Sequence, residues 1–277
     1  MAAFSTLATV GGAGTPIRAA LFSDTHIAAD PDDQFRGFFP HKNLRAAIRQ
    51  ASALSFDLFV VNGDLARQQG QPGDYAQFTS LIDPMADRLP TVITLGNHDD
   101  RKNLRSALVK RAGEIQPVEQ KLVTTIDAGA FRFVLLDSLM VTNIAAGQLG
   151  HSQREWLADF LRENNTKPVI VFVHHNPDAE SDGALVDADR LLAILAPAKQ
   201  VKALLFGHTH VYAHEVRNGL HLLNLPAVGY NFADGNPVGW VEAAFSPGGA
   251  DLKLHTVAGD TSSDADASRV PSHIDWR

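Results

Sequence analysis

Apolar runs of strand length alternate with amphipathic stretches of helical period along most of the chain, and this alternation restricts the fold more than any other feature. IRAALFS (17–23) precedes a helical pattern over 42–54, FDLFVV (56–61) precedes one over 74–89, and TVITL (91–95) precedes KNLRSALVK (102–110). These runs are apolar almost throughout, as strands covered on both faces are. They predict a buried, largely parallel sheet with helices packed on it. Further on the rhythm changes. KLVTTIDAG and FRFVLLDS meet around Ala-Gly-Ala, as in an antiparallel hairpin. Helical patterns over 152–164 and near 187–196 lead into PVIVFV (168–173) and VKALLF (201–206). HVYAHEVRNGLHLLNL and GWVEAAF with DLKLHTV then suggest short antiparallel strands. The expectation is an α/β protein with two sheets and helices outside both.

At 277 residues, 45% of them apolar, the chain has enough material for one large domain with a sizeable core. A single domain over 16–258 is expected, preceded by a flexible segment at 1–15. The polar stretch 259–277, rich in Ser and Asp, is expected to be a tail, mobile or docked on a partner. No run approaches the roughly 20 uninterrupted apolar residues of a transmembrane helix. A cytoplasmic location is expected. Export stays open because MAAFSTLATVGGAG is small and apolar like the end of a signal, although it lacks a positively charged start. The net charge of −7 argues against bulk nucleic-acid binding. It leaves anionic substrates open, since bound cations reverse a local field. The absence of cysteine excludes disulfides and thiolate metal sites.

The residues that end each apolar run are more selective than the runs themselves. They are Asp24-Thr25-His26, Gly63-Asp64, Gly96-Asn97-His98-Asp99, His174-His175 and Gly207-His208-Thr209-His210. The C-terminal edge of an α/β sheet is where sites form. Taken singly, each ending has an ordinary reading: Asp24 and Asp64 suit turns, Asn97 and His98 suit loop hydrogen bonding, and one of His208 and His210 suits the surface. Five such endings together point to one convergent site. Asp, Asn and His without Cys suit Mn, Fe, Zn or Co. In D-T-H and H-T-H, an extended backbone would turn the middle residue away and aim its neighbours at one place. Seven donors exceed what one ion needs but suit two ions sharing a carboxylate. Two aspartates, two divalent ions and one hydroxide leave a formal charge near +1, which favours a phosphate anion. His41, His151, His214, His221, His255 and His273 carry only structural readings, and Trp156 is expected in the core. Arg67 and Arg101 are expected to be solvated or to pair with loops.

In this order, the five endings resemble the motif set of the calcineurin-like metallophosphoesterases, from Asp24 to His210. GQLGHSQREWL (147–157) is similar to a helix entry of their phosphodiesterase branch, and HDDR (98–101) to the class III cyclic-nucleotide and glycerophosphodiester phosphodiesterases. The resemblance implies a four-layer αββα sandwich of two mixed sheets, with the metal site at strand C-terminal ends. It implies that Asp24, His26 and His210 hold one ion, that Asn97, His174 and His208 hold the other, and that Asp64 bridges them. His174 is taken over His175 because it comes first after the strand; the sequence here is HHNP where the family often has HHPP. A metal-bridging hydroxide would be the nucleophile. His98 would be the leaving-group proton donor or oxyanion contact, with Asp99 orienting its ring. The implied substrates are small phosphodiesters such as cyclic nucleotides or glycerophosphodiesters, and the implied assembly is a homodimer. A phosphomonoesterase of the same fold is the alternative. A protein phosphatase is disfavoured, because GDLARQQG lacks that group's Arg-rich segment. A non-catalytic metal-binding scaffold is disfavoured because every ligand position is filled. Loops near 28–41, 66–73 and 176–187 are expected to line the substrate pocket. Phe35, Phe38 and Phe39 would either stack on a base or anchor their loop.

Overall fold

The computed structural model describes residues 15–108, 112–178, 181, 183–262 and 270–276. Nearly all of the expected N-terminal segment 1–15 lies outside the described residues, as do positions 109 and 110 at the end of the expected 102–110 helix. One sheet has the order β13 (His273–Asp275), β12 (Gly249–Gly259), β11 (Pro237–Phe245), β1 (Ile17–Phe22), β2 (Leu58–Asn62), β3 (Thr91–Thr94). The other runs β4 (Glu114–Ile115), β5 (Thr124–Ala128), β6 (Phe131–Leu135), β7 (Val169–Phe172), β8 (Val201–Phe206), β10 (Leu220–Asn224), β9 (Ala213–Arg217). Strands β1, β2 and β3 are mutually parallel, as are β6, β7, β8 and β10. Antiparallel strands extend both sheets, so both are mixed.

The strand period of two sorts side chains into layers. In β1, Ile17, Ala19 and Leu21 belong to one core cluster while Ala20 and Phe22 belong to another. In β7, Ile170 and Phe172 join the first cluster and Val169 and Val171 a third. The shared cluster lies between the sheets. Against the outer face of the first sheet pack α1 (Pro40–Ser52), α2 (Pro72–Ala86) and α3 (Arg101–Ala107), through residues such as Leu44, Phe78 and Leu104. Against the second pack α4 (His151–Glu163) and α5 (Ala188–Leu195), through Leu157, Leu161, Leu191 and Leu195. The result is the four-layer αββα sandwich. Phe133 and Phe245 meet edge-to-face across the sheets at 5.6 Å, and burying rings of this size stabilises by about 1.5–3 kcal/mol each.

Three local features differ from the sequence reading. Helix α1 starts at Pro40, since proline has no N–H to leave unsatisfied in a first turn. Strand β4 is too short to carry a periodic signal. The expected tail at 259–277 is also divided differently. Gly259 still belongs to β12, and His273–Asp275 pairs antiparallel with Gly249–Asp251 as an edge strand. Val270 and Ile274 are buried there, so two apolar residues in a polar segment dock it on its own domain. No helix among the described residues is long and apolar enough to cross a membrane.

Candidate metal centre

Five parallel strands deliver the five motifs to one place. Asp24 and His26 follow β1, Asp64 follows β2, Asn97 to Asp99 follow β3, His174 follows β7, and His208 and His210 follow β8. The Asp24 and Asp64 loops are zipped together by the backbone: Asp24 N donates to Gly63 O at 3.1 Å and His26 N to Asp64 O at 2.9 Å. The D-x-H and H-x-H segments are not extended, as the sequence reading assumed. Asp24, His26, Asp64, His208 and His210 all have left-handed backbones, with φ between 49° and 70°. Such conformations cost on the order of 1 kcal/mol or more for a side-chain-bearing residue and persist where surrounding structure enforces them. Here they curl the chain so that flanking side chains converge, while Thr25 between them donates its hydroxyl to Leu65 O at 3.1 Å.

The motif glycines serve ligands from other strands. A Cβ at Gly63 would lie 2.5 Å from His174 Nδ1, one at Gly96 would strike the Asp64 carboxylate, and one at Gly207 would strike Asp24 and Ser23. Gly-Asp, Gly-Asn and Gly-His are therefore a mutual packing code.

The donor atoms fall into sets. Asp24, His26 and His210 have ligand atoms mutually within 4.8 Å, as do Asp64, His174 and His208, and as do His26, Asp64 and His98. His26 Nε2 and His210 Nε2 face each other at 3.1 Å, and His210 Nε2 lies 3.4 Å from Asp24 Oδ1. One oxygen of Asp64, Oδ2, lies 3.7 Å from His26 Nε2 and 3.3 Å from His174 Nε2. Two nitrogens each about 2.1 Å from one ion lie roughly 3 Å apart, so these spacings fit cation-binding sets. His174 Nδ1 bonds Asn62 O at 2.9 Å and His210 Nδ1 bonds Tyr230 O at 2.6 Å. Both rings thus donate from Nδ1 and aim Nε2 at the carboxylates, an orientation that suits a metal ligand. His174 Nε2 and Asn97 Oδ1 are buried without a hydrogen bond, and buried polar atoms left unmet beside two carboxylates fit a cation site. His175 sends Nδ1 to Ser138 Oγ at 2.7 Å and packs its ring 4.8 Å from that of His208, but its ligand atoms do not join those of Asp64, His174 and His208. His174 is therefore the member of the pair that joins the cluster.

The electrostatics agree. Burial pushes the Asp24 and Asp64 carboxyls up, but the surrounding imidazoles, His174 and His210 at Asp24 and His174, His98 and His26 at Asp64, together outweigh it and hold both well below the usual range. Burial lowers His174, yet Asp64 and Asp24 prevail and push it up to about 10. His208 is pushed down to about 4 by burial and by His174. The two buried carboxylates thus hold a proton on His174 tightly, the field in which a cation competes with protons.

His98 turns Nδ1 to Gln68 O at 3.0 Å, and its backbone N–H donates to Asp64 Oδ1 at 2.8 Å. Asp99 does not orient that ring. Its carboxylate is fully buried and accepts from the backbone N–H groups of Leu65, Ala66 and Gly96 and from the Tyr75 hydroxyl. The turn after β3 points these successive side chains apart, so Asp99 fastens the Asp64 loop to the Asn97 loop. Arg101 pairs in bidentate fashion with buried Asp137, and Arg67 pairs with Asp33, the loop-pairing roles expected of them.

A pocket of about 410 Å³ opens on the cluster, with Asn143, Ala145, Ser181, Thr209, Tyr230 and Phe232 on its walls. Of the loops expected to line it, only 176–187 contributes a described residue, Ser181. Phe35 packs its ring 4.7 Å from Tyr230 and 4.2 Å from the Arg67 guanidinium, so it anchors its loop behind the wall. The sequence reading missed Tyr230 and Phe232. They come after β10, which runs parallel to β8 and ends at the same edge, so the rule applied to the other strand ends would have found them.

Residues 17–212 match the family model of the calcineurin-like phosphoesterases. The chain belongs to this family. Its members include the similar 3′,5′-cyclic-nucleotide phosphodiesterase of Nostoc sp., 26% identical over 78% of this chain and 80% of that one. The 3′,5′-cyclic adenosine monophosphate phosphodiesterase CpdA of Escherichia coli K12 is 29% identical over 86% of each chain. Among solved structures, a dimetal phosphatase from Danio rerio superposes with a TM-score of 0.75 at 17% identity, covering 95% of this chain and all of that one, which bears on the fold. As a calcineurin-like phosphoesterase the chain is a phosphoric ester hydrolase, and its Asp/His cluster suits divalent metal ions.

Proposed function

We propose that the chain is a two-metal phosphodiesterase acting on 3′,5′-cyclic nucleotides or similarly small diesters. The observation that carries the two-ion reading is Asp64 Oδ2, set between an imidazole of each half of the cluster at 3.7 and 3.3 Å. In this reading Asp24, His26 and His210 hold one ion, Asn97, His174 and His208 hold the other, and Asp64 is shared. Ions held there would supply positive charge to the phosphoryl oxygens and Lewis acidity toward an attacking water. The residues do the rest. His210 and His174 are held by carbonyls behind them, so their Nε2 atoms need no reorganisation on binding. His98 donates from Nδ1 to Gln68 O, which fixes the ring and leaves Nε2 to meet the departing ester oxygen, to which only the doubly protonated ring can give a proton. Asp99 keeps the loops carrying Asp64 and Asn97 in register. Diester preference is supported by the relatives named for cyclic-nucleotide cleavage. Cytoplasmic location and a homodimer belong to the same proposal, checked by cell fractionation and light scattering.

The test is hydrolysis of bis-p-nitrophenyl phosphate against p-nitrophenyl phosphate by Mn-loaded and chelator-stripped protein, with Asn97→Ala alongside. Expected is metal-dependent cleavage favouring the diester and lost in the variant. A strong preference for the monoester would replace this reading by a phosphatase.

A further inference from the structure

The pocket walls differ in chemistry. Beside the candidate ligands, the lining holds Asn143, Ala145, Ser181 and Thr209 and two aromatic rings, Tyr230 and Phe232. Tyr230 is buried, its ring 4.7 Å from both His26 and His210. Phe232 lies further out, stacked on the His210 imidazole at 4.3 Å and 27°, yet 48% of it is exposed. A lone exposed phenylalanine means little. This one is at the pocket, directly beside a candidate ion ligand, and it is held in place. Arg36 donates to Phe232 O at 2.9 Å, and Asn231 closes the turn by donating to Asn236 O at 2.6 Å. The Phe232 ring is itself 5.6 Å from Tyr230. A fixed, half-exposed aromatic ring beside a candidate ion ligand, with the Arg36 guanidinium 5.7 Å from its centroid, is a stacking platform of the sort that binds bases without reading their edges.

We propose that Phe232, backed by Tyr230 and His210, stacks the purine or pyrimidine base of the substrate and so selects nucleotide diesters over base-free ones. This rests on the phosphodiesterase reading for its consequence in catalysis, but the stacking can be read by binding alone. Adenosine 5′-monophosphate and ribose 5-phosphate share the sugar phosphate and differ in the base. Titration calorimetry of both on Mn-loaded wild type, Phe232→Ala and Phe232→Trp measures the ratio of their affinities. Expected is a ratio lowered on the order of tenfold in Phe232→Ala and retained in Phe232→Trp. The ratio of kcat/KM for cyclic AMP over a base-free glycerophosphodiester should move in parallel. An unchanged affinity ratio overturns the proposal. So does a loss shared equally by both ligands, which would report a disturbed His210. A protein that shows the expected binding ratio but cleaves no diester would sink the phosphodiesterase reading and leave the stacking face standing.

Discussion

At the scale of the residue, the donor set and the proton donor separate by experiment. In the proposed assignment Asn97→Ala and His208→Ala each remove a donor for one ion, so elemental analysis should find about one equivalent of metal per chain and hydrolysis should vanish. His98→Ala should keep both equivalents and lower kcat by about 10²- to 10⁴-fold. Loss of metal in that variant would move His98 into the ligand set. Asp99→Ala removes the acceptor for Leu65, Ala66 and Gly96 N–H and for Tyr75, at about 1–3 kcal/mol for each donor left unpaired. Urea unfolding should therefore show a loss of several kcal/mol, smaller in Asp99→Asn, which keeps one acceptor oxygen. A fully stable Asp99→Ala with an altered rate alone would restore the ring-orienting role. The residues that converge were legible in the sequence because each terminates an apolar run. The role of Asp99 was not, since adjacency to His98 suggests a contact that the turn forbids. Which of His174 and His175 converges with Asp64 and His208 was visible only in the fold.

At the scale of the element, near-continuous apolar runs separated by stretches of helical period made strands and helices readable from sequence, while the strand period of two decided which layer each side chain enters. Strand pairing was less so: β10 looks like the second arm of a hairpin with β9, which it is, but its other edge pairs parallel with β8. Nothing local encodes that second neighbour. The inter-sheet layer depends on large rings meeting from both sides, with Phe133 packed against Phe131, Phe172 and Phe245. Phe133→Ala should cost about 3–5 kcal/mol in chemical denaturation, because rigid strands on both sides limit collapse of the cavity. A cost below about 1 kcal/mol would mean that the sheets close up around the gap and that the layer is softer than its packing suggests.

At the scale of the whole molecule, the candidate ion site is a polar place where the two sheets are joined. Asp24, Asp64 and Asn97 come from the first sheet and His174, His208 and His210 from the second. The left-handed residues and two buried carboxylates there oppose folding, while the apolar layer beneath favours it. An ion bound only by the folded chain adds RT ln(1 + [L]/Kd), about 2.7 kcal/mol at a hundredfold excess over Kd. For a chain of 277 residues that corresponds to roughly 5 °C in Tm per site. Mn²⁺ added to chelator-treated protein should therefore raise Tm in two increments for wild type and in one for Asn97→Ala. A single increment in both would mean that only the Asp24, His26 and His210 set binds an ion in the folded state, and Asp64 would no longer be a shared ligand. No increment in either would mean that the strain at the sheet junction is supported by packing alone.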